Sequence, residues 1–175
     1  MLRTHLLGGA TALLLSPLAG LAQTGSGTIS GTYNADDAAW TLAEGGDGVP
    51  RTGWTDLEDG LGVTLVGSPV PNEAGGGGTL VLEFDLQGAP QELRVSEPSV
   101  WMVAVGQDER LMAGPENIDL SVTALERDGD EIVISGNIVA GLSPGGAGEL
   151  TIDNDDAVLI DGNFQATLTR LDGDD

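Results

Sequence analysis

The stretch Leu80-Val-Leu-Glu-Phe-Asp-Leu86 decides the fold class, because apolar and acidic residues alternate along its second half. In a strand, its four Leu and Phe side chains fall on one face, and Glu83 and Asp85 fall on the other. This pattern is typical of a strand with one face in a core and the other in water. Ile118-Asp-Leu-Ser-Val-Thr-Ala124 shows the same alternation.

The rest of the chain after residue 22 is also strand-like. Further predicted strands are 27–33, 38–43, 61–66, 91–96, 99–105, 131–142, 148–152 and 157–171. Segments rich in Asn, Asp, Gly and Pro separate them, and no segment has the periodicity of an amphipathic helix. We therefore predict one all-β domain over residues 23–171, an antiparallel β-sandwich of jelly-roll-like type.

A nine-residue pattern occurs twice in the second half of the chain. Ile134-Ser-Gly-Asn-Ile-Val-Ala-Gly-Leu142 and Ile160-Asp-Gly-Asn-Phe-Gln-Ala-Thr-Leu168 agree at five positions, and Ile29–Ala35 is a weaker third copy. In each copy the Ile, the Gly and the next bulky residue share one strand face. A Gly on that face leaves room for a neighbouring aromatic ring or lets the strand bend. We interpret the copies as equivalent strands of one domain.

Residues 1–22 predict a cleaved secretory signal peptide. A short basic start precedes the apolar run Leu6–Leu15, and small residues precede a cleavage position after Ala22. The alternative is a membrane anchor, but the run is short for a bilayer and ends at Pro17. We expect a periplasmic or extracellular protein that does not insert into the membrane. Residues 172–175 are predicted to be an acidic tail.

The charge of the chain is strongly negative. After residue 22 it has five Arg and no Lys against 28 Asp and Glu, a side-chain charge of −23. A phosphate backbone needs a basic patch, so nucleic acid is excluded as a partner. Three interpretations remain: adaptation to a salty or harsh exterior, calcium binding, or contact with a basic partner.

The residue types exclude several classes of catalytic site. No His, Lys or Cys remains after residue 22, which excludes Ser–His, Cys–His and Ser–Lys catalysis. A two-carboxylate glycoside hydrolase is the enzymatic alternative that survives. We predict a non-enzymatic binding or structural module with a protein or glycan partner. The alternative is a calcium-dependent or carbohydrate-binding accessory domain.

Residues 44–60 are predicted to form a long loop that holds the candidate ligand site. Within Arg51-Thr-Gly-Trp-Thr-Asp56, Trp54 can stack on a sugar ring while Arg51 and Asp56 bind its hydroxyl groups. The alternative is that Trp54 folds over one end of the domain. Trp40 and Trp101 lie in apolar strand patterns and are predicted to belong to the core.

The candidate metal ligands are Asp153, Asp155, Asp156 and Asp161. Only oxygen ligands are available, and these favour Ca²⁺. The segment departs from the EF-hand pattern, because Ala157 stands at the third odd position. Ca²⁺ is therefore the one cofactor to test, and no other cofactor is predicted.

Overall fold

The computed structural model describes residues 25–43, 49–70, 77–89, 92–104, 110–144 and 157–171. These residues form ten strands and one short 3-10 helix, η1, at Pro115–Asn117. The strands are β1 (Gly25–Tyr33), β2 (Asp36–Leu42), β3 (Gly53–Leu57), β4 (Gly60–Pro69), β5 (Gly78–Gln87), β6 (Arg94–Ala104), β7 (Arg110–Met112), β8 (Ile118–Asp128), β9 (Glu131–Pro144) and β10 (Val158–Thr169). No helix in these ranges is long and apolar enough to cross a membrane.

The strands form one antiparallel sheet that closes on itself. The order is β10-β1-β2-β4-β5-β6-β7-β9-β8, and β10 also pairs with β9. β3 lies outside this circuit and pairs with the first half of β4, whereas β2 pairs with the second half. The prediction of an antiparallel all-β domain is confirmed. The sandwich and jelly-roll-like details stay a prediction, since the described strands share a single sheet.

The main core fills the inside of the closed sheet. In β5, Leu80, Leu82, Phe84 and Leu86 are all at most 2% exposed, as their alternation predicts. The Phe84 ring lies 6.1 Å from the ring of Phe164 on β10, so the core is continuous across the interior. Burial of each such side chain contributes about 1.5–3 kcal/mol, and this burial stabilises a chain that has no cysteine to form disulfides.

The repeated nine-residue pattern marks three neighbouring strands. Its copies lie in β9, β10 and β1, and β10 pairs with both of the others. Gly136 lies opposite Phe164, and a Cβ added to Gly136 would overlap that ring. The predicted role of this glycine, room for a neighbouring aromatic ring, is confirmed. It explains why a glycine occurs in the middle of a long buried strand.

Two details of the predicted strand pattern are wrong. The long loop predicted for 44–60 contains β3, because Gly53–Leu57 pairs with β4 through a tight turn at Glu58 and Asp59. The predicted strands 91–96 and 99–105 form a single strand, β6, which continues through a β-bulge near Pro98. The predicted strand 148–152, the signal peptide 1–22 and the tail 172–175 lie outside the described residues.

We call the end of the sheet with the β3–β4, β5–β6 and β8–β9 turns the lower end. The β1–β2 turn, at Asn34 and Ala35, lies at the upper end. Both turn residues have positive φ, 51° and 69°, which matches the two-residue hairpin turn that follows the twist of its strands.

Candidate functional site

Trp54 closes the lower end of the core. Its side chain is 0% exposed and belongs to the main core cluster, and its indole Nε1 donates a hydrogen bond to the Asp130 carbonyl at 3.2 Å. The Leu171 backbone N–H donates to the Trp54 carbonyl at 2.7 Å. β3 therefore fills the space between β4 and the end of β10, and Trp54 is fixed from both sides.

Two arginines from distant parts of the chain cover the Trp54 ring. The guanidinium carbon of Arg127 lies 4.4 Å from the ring centroid, and that of Arg170 lies 5.8 Å away. Both arginines pair with Asp56, at 3.4 Å and 2.7 Å, and Arg170 also approaches the Asp130 carboxylate at 3.8 Å. These side chains are 41–77% exposed, so each ion pair contributes at most about 1 kcal/mol.

The predicted ligand residues Arg51, Trp54 and Asp56 are only partly brought together. Trp54 and Asp56 are two residues apart on β3, but the ring is buried and the carboxylate is engaged by Arg127 and Arg170. In the described part of the chain, no hydrogen bond, ion pair or ring contact joins Arg51 to either residue. The geometry corresponds to the alternative in which Trp54 covers one end of the domain.

The arginines beside Trp54 could not be found from local sequence. Arg127 belongs to β8 and Arg170 follows β10, and only the closure of the sheet brings them to β3. The one indication in the sequence is that basic residues are scarce: after residue 22 the chain has five Arg and 28 Asp and Glu.

The other two tryptophans are buried, as predicted. Trp40 is 0% exposed, lies in the main core and donates a hydrogen bond to the Gly78 carbonyl at 3.1 Å. Trp101 is 6% exposed but lies on the outer face, in a separate cluster with Val66 and Val81. Its Nε1 donates to Glu83 at 3.2 Å, and Arg110 lies 4.5 Å above the ring.

Of the candidate calcium ligands, only Asp161 is described. It lies exposed on β10, opposite Thr32 of β1 and Val139 of β9. Asp153, Asp155 and Asp156 lie outside the described residues. Within the described ranges, no group of three or more His, Cys, Asp or Glu is placed to hold a metal ion. The calcium site stays a prediction.

A gap between β6 and β8 interrupts the hydrogen bonding of the closed sheet. β6 pairs with β7 only through 101–103, and β8 pairs with β9. The Cα atoms of β6 and β8 come within 8 Å of each other, yet the two strands form no ladder. We call this gap the seam. β7 closes the seam at its upper end; toward the lower end, no described strand pairs with the facing edges of β6 and β8.

Both strands at the seam carry an irregularity that explains it. β6 has an extra residue between the positions opposite Glu83 and Asp85; there Glu97 has φ 49° and Pro98 has no N–H. β8 has an extra residue, Thr123, whose hydroxyl group donates to the Ser135 carbonyl at 3.2 Å. A bulge bends its strand and increases the local twist. Two bulged strands therefore diverge instead of pairing.

A cleft of about 320 Å³ opens at the lower end of the seam. Four leucines supply most of its lining, with two glycines and Arg127 at its edge; the lining residues are Gly60, Leu61, Leu86, Gly88, Leu93, Leu125 and Arg127. Leu61 and Leu86 are buried members of the core, whereas Leu93 and Leu125 are partly exposed. We call this the seam cleft. It leaves part of the Leu93 and Leu125 side chains accessible from the surface.

Acidic residues predominate among the sequence neighbours of the cleft lining. Five exposed acidic residues lie within two positions of a lining residue: Glu58, Asp59, Glu92, Glu126 and Asp128. Of the basic residues, Arg127 lines the cleft and is paired with Asp56, and Arg94 follows Leu93. Exposed acidic residues therefore outnumber basic ones near the lining.

Comparison with known proteins gives no match: no family model, no curated protein and no solved structure is similar to this chain. The arguments on function therefore rest on the residues and their geometry.

Proposed function

We propose that this protein is a non-enzymatic binding module, secreted or periplasmic, that contacts its partner through the seam cleft. The observation that carries the proposal is the seam itself. Within the described residues, β6 and β8 form no ladder with each other along the strand edges beside an apolar cleft.

The apolar lining supports binding at this place. Leu93 and Leu125 keep part of their surface in water although the neighbouring Leu61 and Leu86 are buried. Covering partly exposed leucines yields about 25 cal/mol for each Å² removed from water. Concave apolar surfaces with a few polar groups at the rim are where ligands bind most often.

The residue types support a role without catalysis. After residue 22 the chain has no His, Lys or Cys, so a catalytic site would have to be built from carboxylates alone. At the lower end, Asp56 is engaged in ion pairs with two arginines. The predicted leader supports export, and the strongly negative charge supports solubility outside the cell.

The proposal is tested with Nile red, an uncharged dye whose fluorescence rises in apolar surroundings. We expect the protein to raise the dye fluorescence and Leu125→Glu to abolish most of the rise. The matched control is Leu159→Glu, because Leu159 is 42% exposed on the outer face of β10, away from the cleft.

Leu93→Ser is a second variant from the other side of the seam, for the case that Leu125→Glu does not fold. Thermal unfolding followed by circular dichroism establishes which variants are folded. Dye binding that is equally strong in the wild type and in both folded cleft variants would contradict the proposal, as would no binding by the wild type.

A further inference from the structure

We propose that the ligand of the seam cleft is an extended basic segment of a partner protein, with an apolar side chain that enters the cleft. This inference rests on the proposed function, because it assumes that the cleft is the binding site. It adds the chemical class of the partner and the way in which its backbone is held.

The size of the cleft favours one or two side chains. At about 320 Å³ it lies at the lower limit of roughly 300–1,000 Å³ for sites that enclose a small molecule. Its four leucines offer an apolar surface. A Leu, Ile or Phe side chain presented by an otherwise exposed peptide fits such a space.

The unpaired edge of β8 favours an extended backbone. In an antiparallel pair, only alternate residues bond to the neighbouring strand, so half of the N–H and C=O groups of β8 are directed away from β9. Leu125 and Arg127 place the lower part of this edge beside the cleft. A peptide that adds to an exposed strand edge satisfies such groups with its own backbone.

The charge around the cleft favours lysine and arginine in the partner. Glu126 and Asp128 lie near the lower end of β8, Glu58 and Asp59 form the β3–β4 turn, and Glu92 lies between β5 and β6, so all five are exposed residues of the lower end. The net side-chain charge of −23 after residue 22 adds a long-range attraction for basic segments. An acidic segment would meet repulsion at the same end of the sheet.

The test is the binding of a short labelled peptide with alternating Lys and Leu, measured by fluorescence anisotropy. We expect saturable binding to the wild-type protein and no binding of the same peptide with Glu in place of Lys. The triple variant Glu58→Gln/Asp59→Asn/Glu126→Gln should raise Kd by about tenfold, since three carboxylates of the lower end are removed. Leu125→Ser should weaken binding by a similar factor.

The matched control is Asp36→Asn/Asp37→Asn/Glu116→Gln, which changes the net charge equally on exposed residues near the upper end. Its Kd should stay within about twofold of the wild type. A peptide N-methylated at every second residue should bind much more weakly, because it cannot donate to the β8 edge. Equal weakening by both triple variants would overturn the inference, and so would undiminished binding of the N-methylated peptide.

The two proposals fail in different ways. If Nile red binds in the cleft but the basic peptide binds no better than the acidic one, the proposed class of partner is wrong, whereas the proposed binding site is still supported. If neither the dye nor the peptide responds to the changes at Leu93 and Leu125, both proposals are wrong.

Discussion

Replacement of Trp54 by alanine distinguishes a structural tryptophan from a ligand platform. The ring is 0% exposed, so Trp54→Ala removes core packing and leaves a cavity at the lower end. If the residue instead stood in a mobile loop and met a sugar, its removal would hardly change stability. The free energy of unfolding therefore reports the role of Trp54 without knowledge of any ligand.

The size of the effect follows from what the ring contacts. Truncation of a buried Trp to Ala costs about 3–5 kcal/mol. Loss of the stacking of Arg127 and Arg170 adds roughly 0.5–1 kcal/mol, since both guanidinium groups are partly exposed. The hydrogen bond to the Asp130 carbonyl is lost as well. We expect a total loss of about 5 kcal/mol, which lowers Tm by roughly 10–20 °C in a domain of this size.

The assay is urea unfolding followed by far-ultraviolet circular dichroism, with wild type and variant compared at the same slope m. Trp54→Phe should recover more than half of the loss because it refills most of the space. The control is Leu57→Ala on the same strand, where the side chain is 41% exposed and we expect a loss below about 1 kcal/mol. A loss for Trp54→Ala no larger than that of Leu57→Ala would refute the buried position of the ring.

Three further predictions concern the core, the alkaline limit and calcium. Gly136→Ala should destabilise the protein by about 1–3 kcal/mol in urea unfolding, because the new Cβ would overlap the Phe164 ring and a strand carbonyl. Gly62→Ala should be less destabilising, because its new Cβ would contact only flexible side chains. Burial raises the pKa of Tyr33 above 10.0, so the free energy of unfolding should fall as the pH rises past that value. Tyr33→Phe should remove this fall, because the chain has one Tyr and no Lys or Cys. A fall that persists in the variant would contradict the assignment. If the predicted calcium site exists, Ca²⁺ should raise Tm more than Na⁺ at equal ionic strength, and Asp161→Asn should reduce the excess; equal effects of the two salts would count against the site.

The strands that the sequence predicts best are those whose burial alternates. β5, β9 and β10 have an apolar residue at nearly every second position, and the repeated pattern shows that Gly136 makes room for an aromatic ring. This information is local, because side chains on one strand face share one environment. Periodicity alone is therefore sufficient to place these strands and their inner faces.

The sequence does not predict β3, because its residue types are typical of a turn. Gly53-Trp54-Thr55-Asp56-Leu57 has no apolar alternation, and its strand conformation depends on pairing with β4. Its partners lie elsewhere in the chain, Arg127 in β8 and Arg170 after β10, so neither their stacking on Trp54 nor the burial of its ring is visible locally. Tertiary pairing overrides the local preference here.

The seam cleft could not be predicted for a related reason. Its walls come from four separate places in the chain, and it exists because β6 and β8 diverge at their bulges. Pro98 indicates an edge or a bulge, but nothing near it identifies β8 as the strand across the gap. The acidic composition indicates a basic partner as one of three interpretations, and the binding site proposed at the cleft would give that interpretation a location.

The most direct test of the account is a map of peptide binding on the ¹⁵N-labelled protein by nuclear magnetic resonance. On titration with the Lys–Leu peptide, we expect the largest amide shift changes at Leu93, Leu125 and Arg127, with little change at Arg51 or on the outer face of β10. Shift changes centred on Arg51 and the start of β3, or spread evenly over all acidic surfaces, would contradict a binding site at the seam.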